Sequence, residues 1–334
     1  MNLTNQTILV TGGAGFIGSH LVEVLIERGF SVVVLDNLRN GSLEKLSAVM
    51  DSPRFRFVRG DILDLDTCYR ATKGADLIFH LACLGVRHSL HSPVENHQVN
   101  ALGTLNMLQA ARDAKTQRFM YVSTSEVYGR ATDFPIREST ATWPLTVYGA
   151  SKLAGENYAR AYFESFGVQV TCVRPFNNYG PRSHFEGDTG EVIPRFLMRA
   201  LNGQPPVIFG GGWHSRDFLY VRDCAEALLQ IAASDVLVGQ VVNLGYGEET
   251  RIDELAKAVA KAVGRPELEP LHEKERPADV PRLWVDTSKL KAAIRFQPKV
   301  TIEEGLARTV EYFRKVLVED PGALERITMR NWEV

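Results

Sequence analysis

The sequence predicts an α/β protein in which a doubly wound parallel sheet is followed by a smaller C-terminal α/β lobe. Three observations predict it. Short runs of β-branched and apolar residues alternate with amphipathic stretches as far as about residue 175. The runs are apolar on consecutive positions, as in strands buried on both faces, and helices between such strands wind a parallel sheet with right-handed crossovers. Beyond about residue 175 the rhythm changes to shorter helices and Pro- and Gly-rich loops, with Pro181, Pro194, Pro205-Pro206 and Gly210-Gly211-Gly212. Two units are expected, residues 1–175 and 176–334, with some chain crossing between them.

Thr7 to Val10 reads as the first strand, and a helix runs from about Phe16 to Arg28 with Gly29 as its C-terminal stop. Ser31 to Leu35, Phe55 to Val58, Leu77 to Leu81, Phe119 to Ser123 and Val168 to Val173 read as strands two to six. In the second unit helical periodicity recurs at about 191–202, 223–233, 252–263 and 301–317, and the residues from Pro321 on read as an appended tail.

A chain of 334 residues with 45% hydrophobic and 23% charged residues suits a globular protein, not a disordered or fibrous one. Lys plus Arg number 38 against 40 Asp plus Glu, so there is no basic footprint for nucleic acid or an anionic membrane. No apolar run approaches the roughly 18 residues of a membrane helix. The opening Met1-Asn2-Leu3-Thr4-Asn5-Gln6 lacks the basic and apolar regions of a secretory signal. Cys68, Cys83, Cys172 and Cys224 are scattered, which gives no disulfide framework and makes a reducing cytoplasm the simplest compartment.

Thr11-Gly12-Gly13-Ala14-Gly15-Phe16-Ile17-Gly18 follows the first strand directly and opens the first helix. Read from Gly12 or from Gly13 through Gly15 to Gly18, it leaves out Cβ atoms where a pyrophosphate would approach the helix N-terminus, whose N–H groups and dipole hold negative charge. A tight strand-to-helix turn would use the same glycines. What sets this one apart is Asp36 at the end of the second strand, where a carboxylate can accept both hydroxyls of an adenosine ribose and would repel a 2′-phosphate. The Rossmann-type reading is therefore NAD in preference to NADP, with Arg39 close by keeping NADP open. Gly60-Asp61-Ile62, after the third strand, would face the adenine or form an ordinary polar loop end.

Tyr148-Gly149-Ala150-Ser151-Lys152 places a phenol and an ammonium four residues apart on one helix face that runs on through Tyr158 and Phe163. A nearby cation lowers a phenol's pKa and makes Tyr148 a candidate base toward an alcohol that is losing hydride. A surface helix pair would share the spacing. At the end of the fifth strand lies Ser123-Thr124-Ser125-Glu126-Val127-Tyr128-Gly129, and ligands of open parallel sheets bind beyond the carboxyl ends of the strands, so these residues and Tyr148 are expected in one cleft. Arg216, after the glycine-rich loop, suits a phosphate. His88, His91 and His97 have no matching Cys or carboxylate cluster, and no metal is expected.

These residues make the sequence resemble the extended short-chain dehydrogenase/reductase family, in particular its nucleotide-sugar epimerases, dehydratases and decarboxylases. The resemblance runs from about residue 7 to 317 and is carried by the glycine turn, Asp36, Asp61-Ile62, His80-Leu81-Ala82, Asn100 with Gly103-Thr104, Thr124, Tyr148 with Lys152, and Arg174-Pro175-Phe176-Asn177-Asn178-Tyr179-Gly180-Pro181-Arg182. It implies an NAD site of Gly12, Gly15, Phe16, Ile17, Gly18, Asp36, Asn37, Asp61, Ile62, Leu81, Ala82, Asn100, Tyr148, Lys152 and Pro175. By the same resemblance Thr124 would hold the sugar hydroxyl, Tyr148 would be the acid/base, and Lys152 would bind the nicotinamide ribose and polarise Tyr148. Ser125, Asn177, Arg216 and Arg276 fall where the family contacts a nucleotide-diphosphate sugar. A homodimer through helices that include about 95–112 and 148–166 is implied as well.

Such enzymes can begin alike, by oxidising the sugar at C4, and diverge at the next step. Glu126 matches the base position of 4,6-dehydratases, which remove the C5 proton and eliminate water across C5 and C6. Ser125 stands where dTDP-glucose 4,6-dehydratases carry an aspartic acid, so Thr124-Ser125-Glu126 is nearer to GDP-mannose 4,6-dehydratases and UDP-glucuronate decarboxylases. Asp217, where a decarboxylase usually has a small residue, speaks against that option, and Arg276-Pro277-Ala278-Asp279-Val280 looks more epimerase-like. The expected activity is 4,6-dehydratase, then 4-epimerase, then decarboxylase. Outside this class stand a reductase of small carbonyl compounds, which would have no need of Asn177 and the diphosphate arginines, and a non-catalytic NAD-binding regulator, which would not keep Thr124, Tyr148 and Lys152 together.

Overall fold

The computed structural model describes residues 6–276, 279–330 and 332. Met1 to Asn5, on which most of the N-terminal reading rests, and Pro277-Ala278 of the epimerase-like segment lie outside them.

Strands β1 (Thr7–Thr11), β2 (Ser31–Asp36), β3 (Phe55–Arg59), β4 (Leu77–His80), β5 (Arg118–Val122), β6 (Val170–Pro175) and β7 (Val241–Leu244) form one sheet in the order β7-β6-β5-β4-β1-β2-β3. Each neighbouring pair is parallel. The longer helices are α1 (Phe16–Glu27), α2 (Leu65–Thr72), α3 (Gly103–Asp113), α4 (Val147–Phe166), α5 (Val192–Leu201), α6 (Val221–Ala233), α7 (Ile252–Ala262) and α8 (Ile302–Glu319). Successive residues of a strand point to opposite faces, and here both sets are apolar. Ile8, Val10, Val32 and Val34 pack with Leu21 and Leu25 of α1 and Leu228 of α6. Leu9, Val33 and Leu35 pack on the other face with Met107 and Leu108 of α3 and Ala159 of α4.

Six strands and α1 fall within a residue or two of the positions expected, and Gly29 closes α1 at φ +87°, its N–H donating to the Ile26 carbonyl at 2.9 Å. The seventh strand is an addition. β7 is four residues long and carries Asn243, so it shows neither a long apolar run nor alternation, yet it pairs with β6 from Val241 to Leu244. Chain beyond residue 175 therefore returns to the sheet, as α6 on its face, as β7 at its edge, and again where Leu290 and Phe296 join the same core.

The smaller lobe is held together by Phe196 and Leu197 of α5, Leu255 and Val259 of α7, and Leu306 and Phe313 of α8. All four helices expected in this half are present. The segment from Pro321 is not an appended tail. Pro321–Arg326 form a helical turn whose Ala323 is fully buried in the lobe's core, and Arg195 Nη2 donates to the carbonyls of Thr328 at 2.9 Å and Met329 at 2.7 Å. A single Pro-led turn is too short to show periodicity, which is why the sequence alone misses it. Among the described residues no helix is long and apolar enough to cross a membrane.

Candidate active site

A cleft of about 510 Å³ opens beyond the carboxyl ends of the strands, between the sheet and the smaller lobe, where the strand order reverses between β1 and β4. Gly12, at φ +69°, turns the chain out of β1, and a Cβ there would lie 2.8 Å from the Ala82 backbone. A Cβ on Gly18 would lie 2.2 Å from the Gly12 carbonyl oxygen. Of the two readings of the motif, the one from Gly12 through Gly15 to Gly18 lines the cleft, together with Phe16 and Ile17, whereas Gly13 faces Val34 within the sheet.

Asp36 ends β2 with its carboxylate accepting the N–H groups of Ala14 at 3.0 Å and Leu38 at 2.8 Å. Burial raises it above the usual carboxylate range, against those two bonds. Asn37 Nδ2 donates to Asp61 Oδ2 at 2.9 Å, and Asp61 Oδ1 accepts from the Leu63 N–H at 2.9 Å, so Asn37, Asp61 and Ile62 form one polar rim of the cleft. Leu81, Ala82 and Pro175 line its floor. Asn100 does not reach the cleft. It is fully buried, its Oδ1 accepts from the Leu84 N–H at 2.8 Å, and its Nδ2 donates to the Leu84 carbonyl, Asn96 and Ser151, so it braces the loop after β4 from behind.

Thr146 caps α4, its hydroxyl accepting the Gly149 N–H at 3.1 Å, and Gly167 ends the helix at φ +71°. One face of α4 then carries Tyr148, Lys152 and Glu156 toward the ends of β5 and β6. Glu156 accepts from Ser123 Oγ at 2.5 Å and forms a buried ion pair with Arg174 at 2.6 Å. Lys152 is buried with Nζ donating to the Val122 carbonyl at 2.6 Å, 4.6 Å from the Tyr121 ring centroid, and burial lowers its pKa. Thr124 caps the short helical turn Ser125–Tyr128, its hydroxyl accepting the Glu126 N–H at 3.2 Å. Thr124, Ser125, Glu126, Tyr148 and Lys152 all line the cleft, as the sequence anticipates. Burial raises the Tyr148 phenol, Cys83 and Glu126 add to the rise, and the Thr124 hydroxyl opposes it.

Glu126 sits in the same cleft, raised by burial and held back by Arg216 and Arg87. Its carboxylate makes no hydrogen bond or ion pair among the described residues. Asn177 lines the cleft with Oδ1 buried and unpartnered, Arg216 Nη2 donates to Asp279 at 2.7 Å, and Arg276 is half-buried with its Nε enclosed and unpartnered. Asp217 lies outside the cleft: fully buried, it accepts the N–H groups of Tyr246 at 2.7 Å and Gly247 at 2.8 Å, so its identity does not shape the substrate pocket. Arg87 and Glu191 are among the charged lining residues that sequence reasoning misses. Arg87 is half-buried, amid the charges of Glu191, Asp279, Glu126 and Asp188, and Glu191 is pushed up to about 8 by desolvation. A single charge in a loop carries no periodic signal. His91 bonds Asp188 at 2.9 Å and His88 lies 3.2 Å from Glu95, and no group of three or more potential metal ligands gathers among the described residues.

A parallel sheet with a glycine-lined switch point, an acid at the end of β2 and a Thr-Tyr-Lys set over the cleft defines a short-chain dehydrogenase/reductase of the extended kind. More particularly, the chain belongs to the nucleotide-sugar epimerase/dehydratase family: the profile described as GDP-mannose 4,6 dehydratase matches residues 9–309. A UDP-glucose 4-epimerase of Mycolicibacterium smegmatis is 38% identical over 92% of this chain and 98% of its own. UDP-glucuronic acid decarboxylase 1 of Arabidopsis thaliana is 36% identical over 94% of this chain and 72% of its own. The structure of a dTDP-glucose 4,6-dehydratase from Streptomyces venezuelae with NAD bound superposes with a TM-score of 0.89 at 33% identity, covering 94% of this chain and 99% of that one. Relatives of three different activities thus lie at nearly equal distance.

Proposed function

We propose that the protein is an NAD-dependent nucleotide-sugar 4,6-dehydratase. NAD fits the cleft on the chemistry of its lining, since the Gly12 and Gly18 positions have no room for a Cβ and Asp36 offers acceptors where a ribose hydroxyl pair would lie. When bound, NAD supplies the hydride acceptor and donor. Lys152 and Thr124 orient the ribose and the sugar, and Tyr148 Oη takes the proton of the sugar's 4-hydroxyl. A phenol raised by burial needs a cation to ionise, and the oxidised nicotinamide ring carries one.

The observation that carries the dehydratase reading is Glu126, a carboxylate in the cleft with no partner among the described residues and raised by burial. The ketone at C4 acidifies C5–H, and Glu126 takes that proton. Ser125 offers no carboxyl for the departing 6-hydroxyl, so the protonated Glu126 gives its proton to that oxygen as the C6–O bond breaks and water leaves; hydride would then return to C6 of the resulting alkene while a proton from solvent adds at C5. Burial favours the neutral acid and suits one residue to both transfers. The experiment is mass spectrometry of a nucleotide hexose after incubation in heavy water. Loss of water with deuterium at C5 is expected, and Glu126→Gln should stop both while C4 is still oxidised.

Ser125 in the acid's place and the 38% identical epimerase favour 4-epimerisation as the second reading. In that case no deuterium enters the sugar and Glu126→Gln changes turnover little. Isomerase and lyase are thus separated by one measurement. The same reading carries a homodimer in the cytoplasm, paired through the helices around 95–112 and 148–166, where Val94, Leu102, Val147 and Phe166 are exposed; light scattering tests it.

A further inference from the structure

Trp332 lines the cleft, and no other described residue beyond Val280 does. Its ring meets Phe209 edge-on, with centroids 4.7 Å apart and planes at 87°. The Arg276 guanidinium lies over both rings, 4.8 Å from the centroid of Phe209 and 5.6 Å from that of Trp332. Upstream, the two carbonyls bound by Arg195 fix the path of the segment that delivers Trp332.

Arg276 needs such support. It is crowded by the positive charges of Arg87, Arg195 and Arg216, and burial pushes it down to about 9. Asp279 is the acid that opposes them, but Asp279 already accepts from Arg216. Two aromatic faces hold a guanidinium without consuming its N–H donors, so its edge stays free for a planar or bidentate acceptor such as a phosphate. The unpartnered Nε is a donor of that kind.

We propose that Trp332 is a positioning residue for the nucleotide: it holds Arg276 against Phe209 so that the guanidinium presents its donors to a nucleoside diphosphate. The inference rests on the reading of Arg276 as a diphosphate contact. Affinity for the nucleotide then depends on a side chain from the last turn of the chain that the structure describes.

The test is calorimetric titration of the full-length protein, Trp332→Ala and Trp332→Phe with UDP, GDP, CDP and dTDP. Trp332→Ala should weaken the tightest of the four about five- to tenfold, the size of a partly desolvated cation–π contact. Trp332→Phe should restore most of the loss, while NAD affinity and melting temperature stay unchanged in both. In an Arg276→Ala background the second substitution should add nothing. Unchanged or tighter binding by Trp332→Ala, or an equal loss in the Arg276→Ala background, overturns the inference and leaves the nucleotide reading standing. If the unmodified protein binds none of the four, the nucleotide reading itself fails.

Discussion

The hydroxyl of Tyr121 donates to the main-chain carbonyl of Lys152 at 3.0 Å, and Lys152 Nζ in turn donates to the carbonyl of Val122. Backbone and side chain of one residue are thus both pinned to β5. Gly155 makes the contact feasible, because a Cβ there would lie 2.2 Å from the Tyr121 oxygen.

Gly155→Ala should push α4 off β5. Overpacking of this kind costs about 1 to 3 kcal/mol. A lowered melting temperature, accompanied by a fall in activity larger than the stability loss explains, is expected because Tyr148 and Lys152 ride on the same helix. Paired substitution with Tyr121→Phe, which removes the clashing oxygen, should recover part of both.

Asp36→Ala should weaken NAD binding by removing ribose hydrogen bonds worth roughly 1.5 to 3 kcal/mol together. The preference over NADP should shrink with it, since the carboxylate that repels a 2′-phosphate is gone. Titration of both cofactors onto stripped protein reads the two effects separately, and tighter NADP than NAD binding by the unmodified protein would refute the assignment.

Tyr148→Phe should leave NAD binding and the fold intact and slow the opening oxidation by about 10² to 10⁴. Rapid-mixing absorbance of reduced nicotinamide tracks that step directly. A normal transient in the variant would remove Tyr148 from the role of base.

Acid should destabilise the protein through His20. Its Nε2 lies 2.9 Å from the Pro181 carbonyl and its Nδ1 is 2.8 Å from Arg182 Nη2, a pair of partners that fits the neutral ring with its hydrogen on Nε2. Burial, helped by the Arg182 charge, pushes its pKa down to about 3. The folded state therefore binds this proton less readily than the unfolded chain, and stability falls as pH drops from about 6.5 toward 3, by about 1.4 kcal/mol per pH unit. Buried His80 and half-buried His184, both pushed down to about 3, act with the same sign. Denaturant melts of His20→Gln across this window should show a shallower slope than the parent.

Most of the sheet is legible in the sequence because Leu9, Val33 and Ile78 belong to runs that are apolar on both faces, a pattern with few alternative readings. The glycine turn and Asp36 are legible for a related reason: a motif with fixed spacing constrains the backbone locally. What is not legible depends on chain that meets only in three dimensions. Asn243 hides β7 in a polar context, Glu156 and Arg174 neutralise each other across 18 positions, and Arg87 and Glu191 come from separate loops. The Tyr148–Lys152 spacing brings both residues to the cleft, but the hydrogen bond from the ammonium to the carbonyl of Val122 has no signal in the sequence.

One edge strand of the sheet is β7, made by residues 241–244, after the chain has passed through much of the smaller lobe. On a ribosome the first six strands therefore emerge with the outer side of β6 unpaired and with the α1 side lacking α6. Until residue 244 is free, that edge is open to any passing strand, so the nascent protein is most exposed to mispairing during synthesis of residues 176–240, between β6 and β7. A release at residue 175, for instance by an early stop, would leave this vulnerable intermediate as the end product and not an autonomous cofactor-binding unit.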